Sequence, residues 1–357
     1  MVKYALVFGG KSLESDISEI TYKKIKSGLE EKSVPYIGIY LDKYGTFHLC
    51  KNNKLKKGEF LRKAGESYFK VGHKKYVFDV VVPLVHGEPV ENGSLGAYFD
   101  IMNIPCIYGS VLNSSLLQNK AFFKRMLNYF NIDNTKFVEI KYDEYSNIEN
   151  NIMEKIKDLS YPLIVKPCSL GSSIGVNKAK DFSSLIKAID EAFIYDKSVL
   201  IEECISSLKE VNVALLGYKN KIIVSELETV SNKDDVLSFF DKYILSKDKV
   251  TRIIPSDINT DLKNKIIEIA KNAFVKLECF GVVRMDFLLD TQNNKIYLNE
   301  INTIPGSLSY YLFEPMGINI EQQLDILYEL YLDKYIDDER LSDSFIKYNK
   351  KDLLSKE

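Results

Sequence analysis

The sequence predicts an α/β protein: an open parallel-sheet domain, then a small α+β unit, then a larger α+β unit that carries a long hairpin. Three observations predict it. Apolar strand-like runs alternate with helix-spaced segments from the first residues onward, which is the grammar of βαβ units. The stretch 77–85 is nearly all apolar, as a strand buried on both faces must be. Near the C-terminus, strand-like stretches 281–289 and 295–302 flank a turn-forming Asp290-Thr-Gln-Asn-Asn294.

Element by element, residues 5–8 form a first strand that ends in Gly9-Gly10. From Ser15 the spacing of Ile17, Ile20, Ile25 and Leu29 turns helical. Strands follow at 35–41 and 77–85, a helix at 93–102, and a short strand with an exit loop at 104–109. A boundary falls near Gly109 to Asn113, before a helix over 114–130. The second unit comprises a strand at 136–140, a helix after Asn147, a strand at 161–166, a Gly/Ser loop, another strand, an amphipathic helix at 182–193 and a strand at 199–205. The third has strands at 211–217 and 221–230, a polar stretch at 231–249, a helix at 260–277 and the hairpin. The expected domains are thus 1–112, 113–205 and 206–335, with a charged tail at 336–357 forming a surface helix.

Composition narrows the function. The chain has 357 residues, 45% hydrophobic and 27% charged, with 48 basic against 50 acidic side chains. That size suits two or three domains with a large core. A net charge of −2 gives no electrostatic case for a nucleic-acid partner. Five Cys without a C-x-x-C spacing point to reduced thiols and a cytoplasmic protein. No apolar run approaches the roughly 18 residues of a membrane span, and the N-terminal run is too short for a signal peptide.

Three features carry chemistry. If the hairpin folds about Asn293, Asp286 faces Glu300 and Arg284 faces Asn302, all on one face because residues two apart in a strand point the same way. Carboxylates paired at roughly 4.5–5.5 Å between Cβ atoms repel unless something positive lies between them. One such pair alone is often mere solvated surface. Here the opposite face (Val283, Met285, Phe287, Ile301) is apolar, so the polar face must look onto water or a site, and oxygen ligands beside an Arg suggest Mg2+ carrying phosphates. Next, Gly171-Ser172-Ser173-Ile174-Gly175 follows a strand ending in Lys166 and offers the backbone N–H groups and hydroxyls of a phosphate cradle, without a Walker motif. Finally, Gly9-Gly10-Lys11-Ser12-Leu13-Glu14 and His86-Gly87 sit at strand ends, the edge where ligands of open α/β sheets gather.

Taken in order, Gly-Gly-x-Ser-x-Glu at the first turn, His-Gly before Glu-Asn-Gly, Asn119-Lys120, Ile164-Val-Lys-Pro, Gly-Ser-Ser-x-Gly, Arg-x-Asp-Phe and Asn-Glu-x-Asn-Thr-x-Pro-Gly resemble the D-alanine-D-alanine ligase family of ATP-grasp enzymes, from about Ala5 to about Leu330. The resemblance implies a two-part ATP-grasp fold behind the N-terminal domain, with ATP and small amino acids as substrates. It also implies two Mg2+ ions, or Mn2+ in their place, a homodimer and a role in peptidoglycan biosynthesis. Lys120 and Lys166 match the pair that grips the ATP phosphates, and Ser172 and Ser173 match the loop closing over them. Glu202, Glu203 and Ile205 fall on the adenine-reading segment, and Glu210 matches the acid holding the ribose. Asp286, Glu300 and Asn302 match the metal ligands. Arg284 and the Gly306 N–H match the groups that stabilise an oxyanion. Glu14 matches the carboxylate that fixes the first amino acid's ammonium, with His86 nearby. Lys242 and Tyr243, in the polar stretch, resemble a lid pair that closes against Glu14 and Ser172.

The implied chemistry activates the first amino acid's carboxylate as an acyl phosphate, which the second amino acid's amine then attacks. Positioning and charge neutralisation carry the first step. One departure bears on the acceptor. Where the family has a small Ser that grips the second carboxylate, this chain has Tyr311, and Ser307 or Ser309 could take that contact instead. A Tyr can still donate a hydrogen bond but reshapes the pocket. The leading reading is D-alanine as donor with D-alanine or D-serine as acceptor. Three alternatives are a related ligase with another acceptor, a nucleotide-binding regulator without turnover, and a Mg2+-dependent nuclease. The net charge argues against the nuclease, and the full set of matched residues argues against the regulator.

Overall fold

In the computed structural model, residues 1–52, 54–148, 152–232 and 250–354 are described. Strand β1 (Tyr4–Gly9) is buried throughout, because it lies inside a sheet with partners on both sides. Helix α1 (Ser15–Glu31) covers it with Ile17, Tyr22, Ile25 and Leu29, the expected periodic face except that Ile20 is exposed. Strand β2 (Tyr36–Leu41) pairs with β1 in parallel. Beyond β2, the strands β3 (Phe47–Lys51) and β4 (Lys54–Lys57) run antiparallel, so the sheet is mixed rather than wholly parallel.

The predicted strand at 77–85 is in fact two strands in two sheets. β5 (Glu59–Lys63), β6 (Glu66–Val71) and β7 (Lys74–Phe78) form a separate antiparallel sheet, and only β8 (Val80–Pro83) joins β1, in parallel. The corner lies at Asp79, whose carboxylate accepts from the Lys3 N–H at 2.7 Å. Hydrophobicity could not reveal that corner, since both strands are buried near it. Phe78 packs edge-on against Phe60, which also meets Phe69 and Phe99 edge-on with centroids 4.9–5.7 Å apart. Each such pair adds about 0.5–1.5 kcal/mol beyond its buried area.

Helix α2 (Ser94–Ile101) follows, and the strand expected at 104–109 contributes a single parallel bridge, Val81 to Cys106. The helix expected over 114–130 is two: α3 (Val111–Gln118) and α4 (Lys120–Tyr129). Asn119 breaks it by taking extended backbone and accepting the Phe122 N–H at 3.0 Å, which caps α4. Lys120 thereby opens the new helix.

The second unit contains β9 (Phe137–Lys141), α5 (Tyr142–Ile148, starting before the predicted Asn147), α6 (Ile152–Lys155), β10 (Leu163–Pro167), β11 (Asn177–Ala179), α7 (Phe182–Phe193) and β12 (Ser198–Glu203). Its sheet is antiparallel in the order β11-β10-β12-β9, and α7 opens with an Asp181–Ser184 capping box. The third unit is a five-stranded antiparallel sheet, β15-β14-β13-β16-β17, built from β13 (Leu208–Tyr218), β14 (Lys221–Asn232), β15 (Val250–Ile253), β16 (Phe280–Asp290) and β17 (Lys295–Asn302). Helix α8 (Thr260–Lys276) packs on its apolar face. After β17 come the short helix α9 (Tyr310–Phe313) and the long helix α10 (Ile320–Leu354).

One core ties the first sheet to the third. Tyr4, Leu6 and Ile25 pack in the same cluster as Ala214, Leu216, Val282 and Leu324. This fixes the carboxyl end of β1 over the start of β16. Among the described residues no helix is long and apolar enough to cross a membrane, and all five cysteines are free.

Candidate functional site

The hairpin has the predicted register at its working end: Asp286 pairs with Glu300 and Arg284 with Asn302. It reaches that register differently from the expected fold about Asn293. Asp290 pairs with Lys295, so the loop is one residue shorter than expected, and a bulge between Asp286 and Phe287 restores the pairing. The extra residue is Asn299, and both it and Glu300 line the cavity, as a bulge permits. Across the sheet the pairing continues, Glu228 to Asn212 to Asp286 to Glu300, a polar row over four strands. Val283, Met285, Phe287 and Ile301 are buried on the opposite face, as the alternation requires.

Within the row Arg284 clasps Asp286 with two hydrogen bonds, Nε to Oδ1 at 2.6 Å and Nη2 to Oδ2 at 2.7 Å. Burial opposes the guanidinium charge, but Asp286 outweighs it and keeps Arg284 protonated. Asn302 donates to Asp286 at 3.2 Å. Among the described residues no group of three or more His, Cys, Asp or Glu gathers at metal-ligating range, so the hairpin offers two carboxylates and an amide. Such hard oxygen donors fit Mg2+, which is commonly held by one or two carboxylates plus the phosphates of a substrate.

Facing the row is a cavity of about 150 Å3 lined by Lys120, Lys166, Ser172, Ser173, Ile205 and Glu210, with Glu202 and Glu203 also in its wall. Lys166, at the end of β10, bonds Glu202 and reaches Asn299 at 3.4 Å. Glu202 is itself buried, and its second oxygen lies 2.9 Å from the fully buried Lys124. Burial raises its pKa, yet Lys124 and Lys166 together hold it far below the usual carboxylate range. Of this trio Lys166 and Glu202 line the cavity, and Lys124 is fully buried. Lys120 donates to the Leu170 carbonyl, tying α4 to the Gly/Ser loop. Glu203 accepts from the Ser160 N–H at 3.2 Å, nearer the surface.

A second cavity, of about 330 Å3, shares Gly171, Ser172 and Glu300 with the first. Its floor is the first turn. Gly9 has φ +97°, and a Cβ there would lie 2.5 Å from the Leu41 carbonyl oxygen, so only glycine turns the chain here. Glu14 opens α1, and the Ser172 hydroxyl donates to its carboxylate. Gly171 passes so close that a Cβ would sit 3.0 Å from Glu14 Oε1. Ser172 and Ser173 take left-handed backbone, with φ of 52° and 58°. His86 is buried, with Nε2 3.0 Å from Thr21 Oγ1; burial, with Arg284 nearby, lowers it to about 4, so it is neutral at pH 7. Glu91 lines the same space, where poor hydration and the Glu14 charge push it up to about 8.

The exit from the hairpin closes this cavity. Gly306 and Ser307 line it, and the Ser307 N–H donates to Thr21 Oγ1 at 3.1 Å. Ser309 does not line it: its hydroxyl is fully buried and has no partner among the described residues. Ser307, Leu308 and Ser309 all have φ near +50°, so the left-handed turn drives Ser309 inward and brings Tyr311 to the wall. Lys242 and Tyr243 lie outside the described residues. Arg252 carries no sequence signal of its own: it reaches the cavity through the pairing of β15 with β14, beside the buried Glu228, whose place inside an apolar strand is the one local sign.

The comparisons with known proteins follow this layout. Residues 3–110 match the family model "D-ala D-ala ligase N-terminus" and residues 126–329 match "D-ala D-ala ligase C-terminus". The D-alanine–D-alanine ligase of Thermosipho africanus is 36% identical over 355 residues, spanning 94% of this chain and 95% of that protein. D-alanine–D-alanine ligase B of Clostridium tetani is 31% identical over 341 residues, spanning 92% and 93%. Among solved structures, the VanG D-Ala:D-Ser ligase of Enterococcus faecalis superposes with a TM-score of 0.79 at 26% identity, covering 92% of this chain and 99% of that one. The D-alanine–D-alanine ligase of Helicobacter pylori gives 0.72, also at 26% identity, covering 92% and 98%. With both family models in chain order and relatives above 30% identity over nearly the whole length, the chain belongs to the D-alanine–D-alanine ligase family of ATP-dependent ligases.

Proposed function

We propose that this protein joins D-alanine to a second small amino acid, D-alanine or D-serine, with ATP converted to ADP and phosphate. The observation that carries the reading is the pair of adjoining cavities: one walled by Lys120 and Lys166, the other by Glu14 and Arg284, with Glu300 and Ser172 in both. A phosphoryl donor in the first and a carboxylate acceptor in the second would meet over Glu300. In this reading Lys120, Lys166, Ser172 and Ser173 hold phosphates, Glu203 and Ile205 the base, and Glu210 the ribose. Glu202 supports Lys166 more than it faces a ligand. Two Mg2+ ions held by Asp286, Glu300 and Asn302 would supply neutralising charge to the phosphates. Binding them asks Arg284 to loosen its clasp on Asp286, which frees its N–H groups for an oxyanion beside Gly306. Glu14 takes the donor's ammonium, and neutral His86 holds Thr21 and the turn at Ser307 in place. Lys242 and Tyr243 are proposed as the lid.

The units divide near 112 and 205, with the tail from 336, and the protein works as a cytoplasmic homodimer. The test is direct: ATP, Mg2+ and D-alanine should yield phosphate and the dipeptide, and Glu300→Gln should abolish both while leaving the fold intact. Wild-type protein that makes no dipeptide from D-alanine as donor defeats the reading. Tyr311 favours examining other acceptors beside D-alanine, by mass spectrometry of products from amino-acid pairs.

A further inference from the structure

The second cavity contains two guanidinium groups among its described residues, and they are not equivalent. Arg284 spends both Nε and Nη2 on Asp286. Arg252, from β15, uses only Nη1: it lies 3.1 and 3.2 Å from the two oxygens of Glu228 and 3.0 Å from the Tyr311 hydroxyl. Its Nε and Nη2 have no partner among the described residues, and its side chain is 52% exposed at the cavity wall. A guanidinium carries five donors in a planar fork, suited to a carboxylate.

The neighbours hold that fork in place. Glu228 is fully buried and also accepts from Asn212 at 3.0 Å, so it is a fixed anchor. Tyr311 donates its only hydroxyl proton to Glu228 at 2.9 Å and accepts from Arg252, while its ring lies 5.7 Å from the guanidinium carbon. Its proton is therefore committed, and it has none to give a ligand carboxylate. Ser309 is turned away, and Ser307 lies across the cavity wall beside Thr21. Among the described residues of the cavity, that leaves Arg252 as the guanidinium whose Nε–Nη2 edge meets no acceptor.

We propose that Arg252, oriented by Glu228 and Tyr311, binds the α-carboxylate of the acceptor amino acid, and that the Tyr311 ring restricts that acceptor to a compact side chain. This rests on the ligase reading above and adds to it the group that recognises the second substrate. The acceptor class is a small amino acid with a free carboxylate, and an amine without one is rejected.

The experiment uses the full chain with ATP and Mg2+, and D-alanine or D-alaninamide as acceptor. D-Alaninamide has no carboxylate to activate, so it can act only as acceptor. The dependence of rate on D-alanine gives separate donor-site and acceptor-site KM values. Arg252→Gln should raise the acceptor-site KM by about ten- to a hundredfold, the range of a hydrogen bond to a charged group, and leave the KM for ATP and the donor site within about twofold. Wild-type protein should prefer D-alanine to D-alaninamide as acceptor by at least about tenfold, and the variant should lose most of that preference. Because Arg252→Gln strands the Glu228 charge, the double variant R252Q/E228Q restores neutrality. Its acceptor-site KM stays high if Arg252 binds substrate and returns to normal if Arg252 is only structural. Wild-type protein without dipeptide synthesis would overturn the ligase reading and this subsite together. Synthesis with an unchanged acceptor-site KM in both variants would overturn the subsite alone.

Discussion

His86 shows how strongly a single position is governed by its surroundings. An imidazole in water titrates near 6.5, but this one is buried beside Arg284 and lowered to about 4. As pH falls below 6.5 the unfolded chain takes up a proton that the folded protein refuses until about 4. Stability is therefore full above 6.5 and lost progressively across that window, by on the order of 3 kcal/mol. Thermal melts between pH 7 and pH 4 should show a steeper fall for the wild type than for His86→Gln, which can keep a bond to Thr21. Parallel curves for the two proteins would contradict the assignment. Glu91 works in the opposite sense: raised to about 8, it destabilises the folded protein as pH climbs from the usual carboxylate range toward 8.

At the scale of elements, two irregularities place the chemistry. Asn119 divides a helical stretch and starts α4 at Lys120, whose backbone N–H meets the Cys168 carbonyl at 2.8 Å and whose side chain reaches Leu170. Asn119→Ala removes the cap on α4 and should cost about 1 kcal/mol by denaturant unfolding. It should also raise the KM for ATP, since Lys120 loses its fixed start. Asp181→Ala, which removes the capping box of α7 at a residue lining neither cavity, should cost a similar amount and leave that KM unchanged. The second irregularity is the bulge at Asn299, which gives β17 two successive residues on the cavity. An unbulged hairpin with this turn would turn Glu300 to the apolar face.

For the whole molecule, the shared core makes the first turn and the hairpin parts of one body. The Gly/Ser loop, on the second unit, meets that body through the Ser172 to Glu14 bond. A ligand that bridges Lys166 and the hairpin stabilises the arrangement by mass action. ADP with Mg2+ at a hundred times its dissociation constant should add about 2.7 kcal/mol to unfolding. Differential scanning calorimetry checks this, and Asp286→Asn should remove most of the Mg2+-dependent part.

How much of this was legible depends on the range of the forces involved. Helix α7 and strand β1 follow from periodicities of 3.6 and 2, which are local and therefore written in the sequence, whereas the expected facing of Asp286 with Glu300 is met by a shorter turn and a bulge together. The ordered motifs pointed to the family, and Lys120, Lys166, Ser172 and Ser173, singled out from them, line one cavity. The corner at Asp79 and the antiparallel strands β3 to β7 were not legible, since an apolar run does not say which sheet it joins. Nor was the bulge, which arises from competition between turn geometry and ladder pairing. Ser309 and Arg252 exchanged places as candidates for the same reason. The left-handed turn buried the one, and the pairing of β15 with β14, which sets Arg252 opposite Val230, brought the other beside Glu228 at the cavity. The sequence by itself determined which chemical groups this protein owns and the strand faces they occupy. Only the tertiary structure decided which of them have donors left to offer a substrate, because that depends on partners brought from distant parts of the chain.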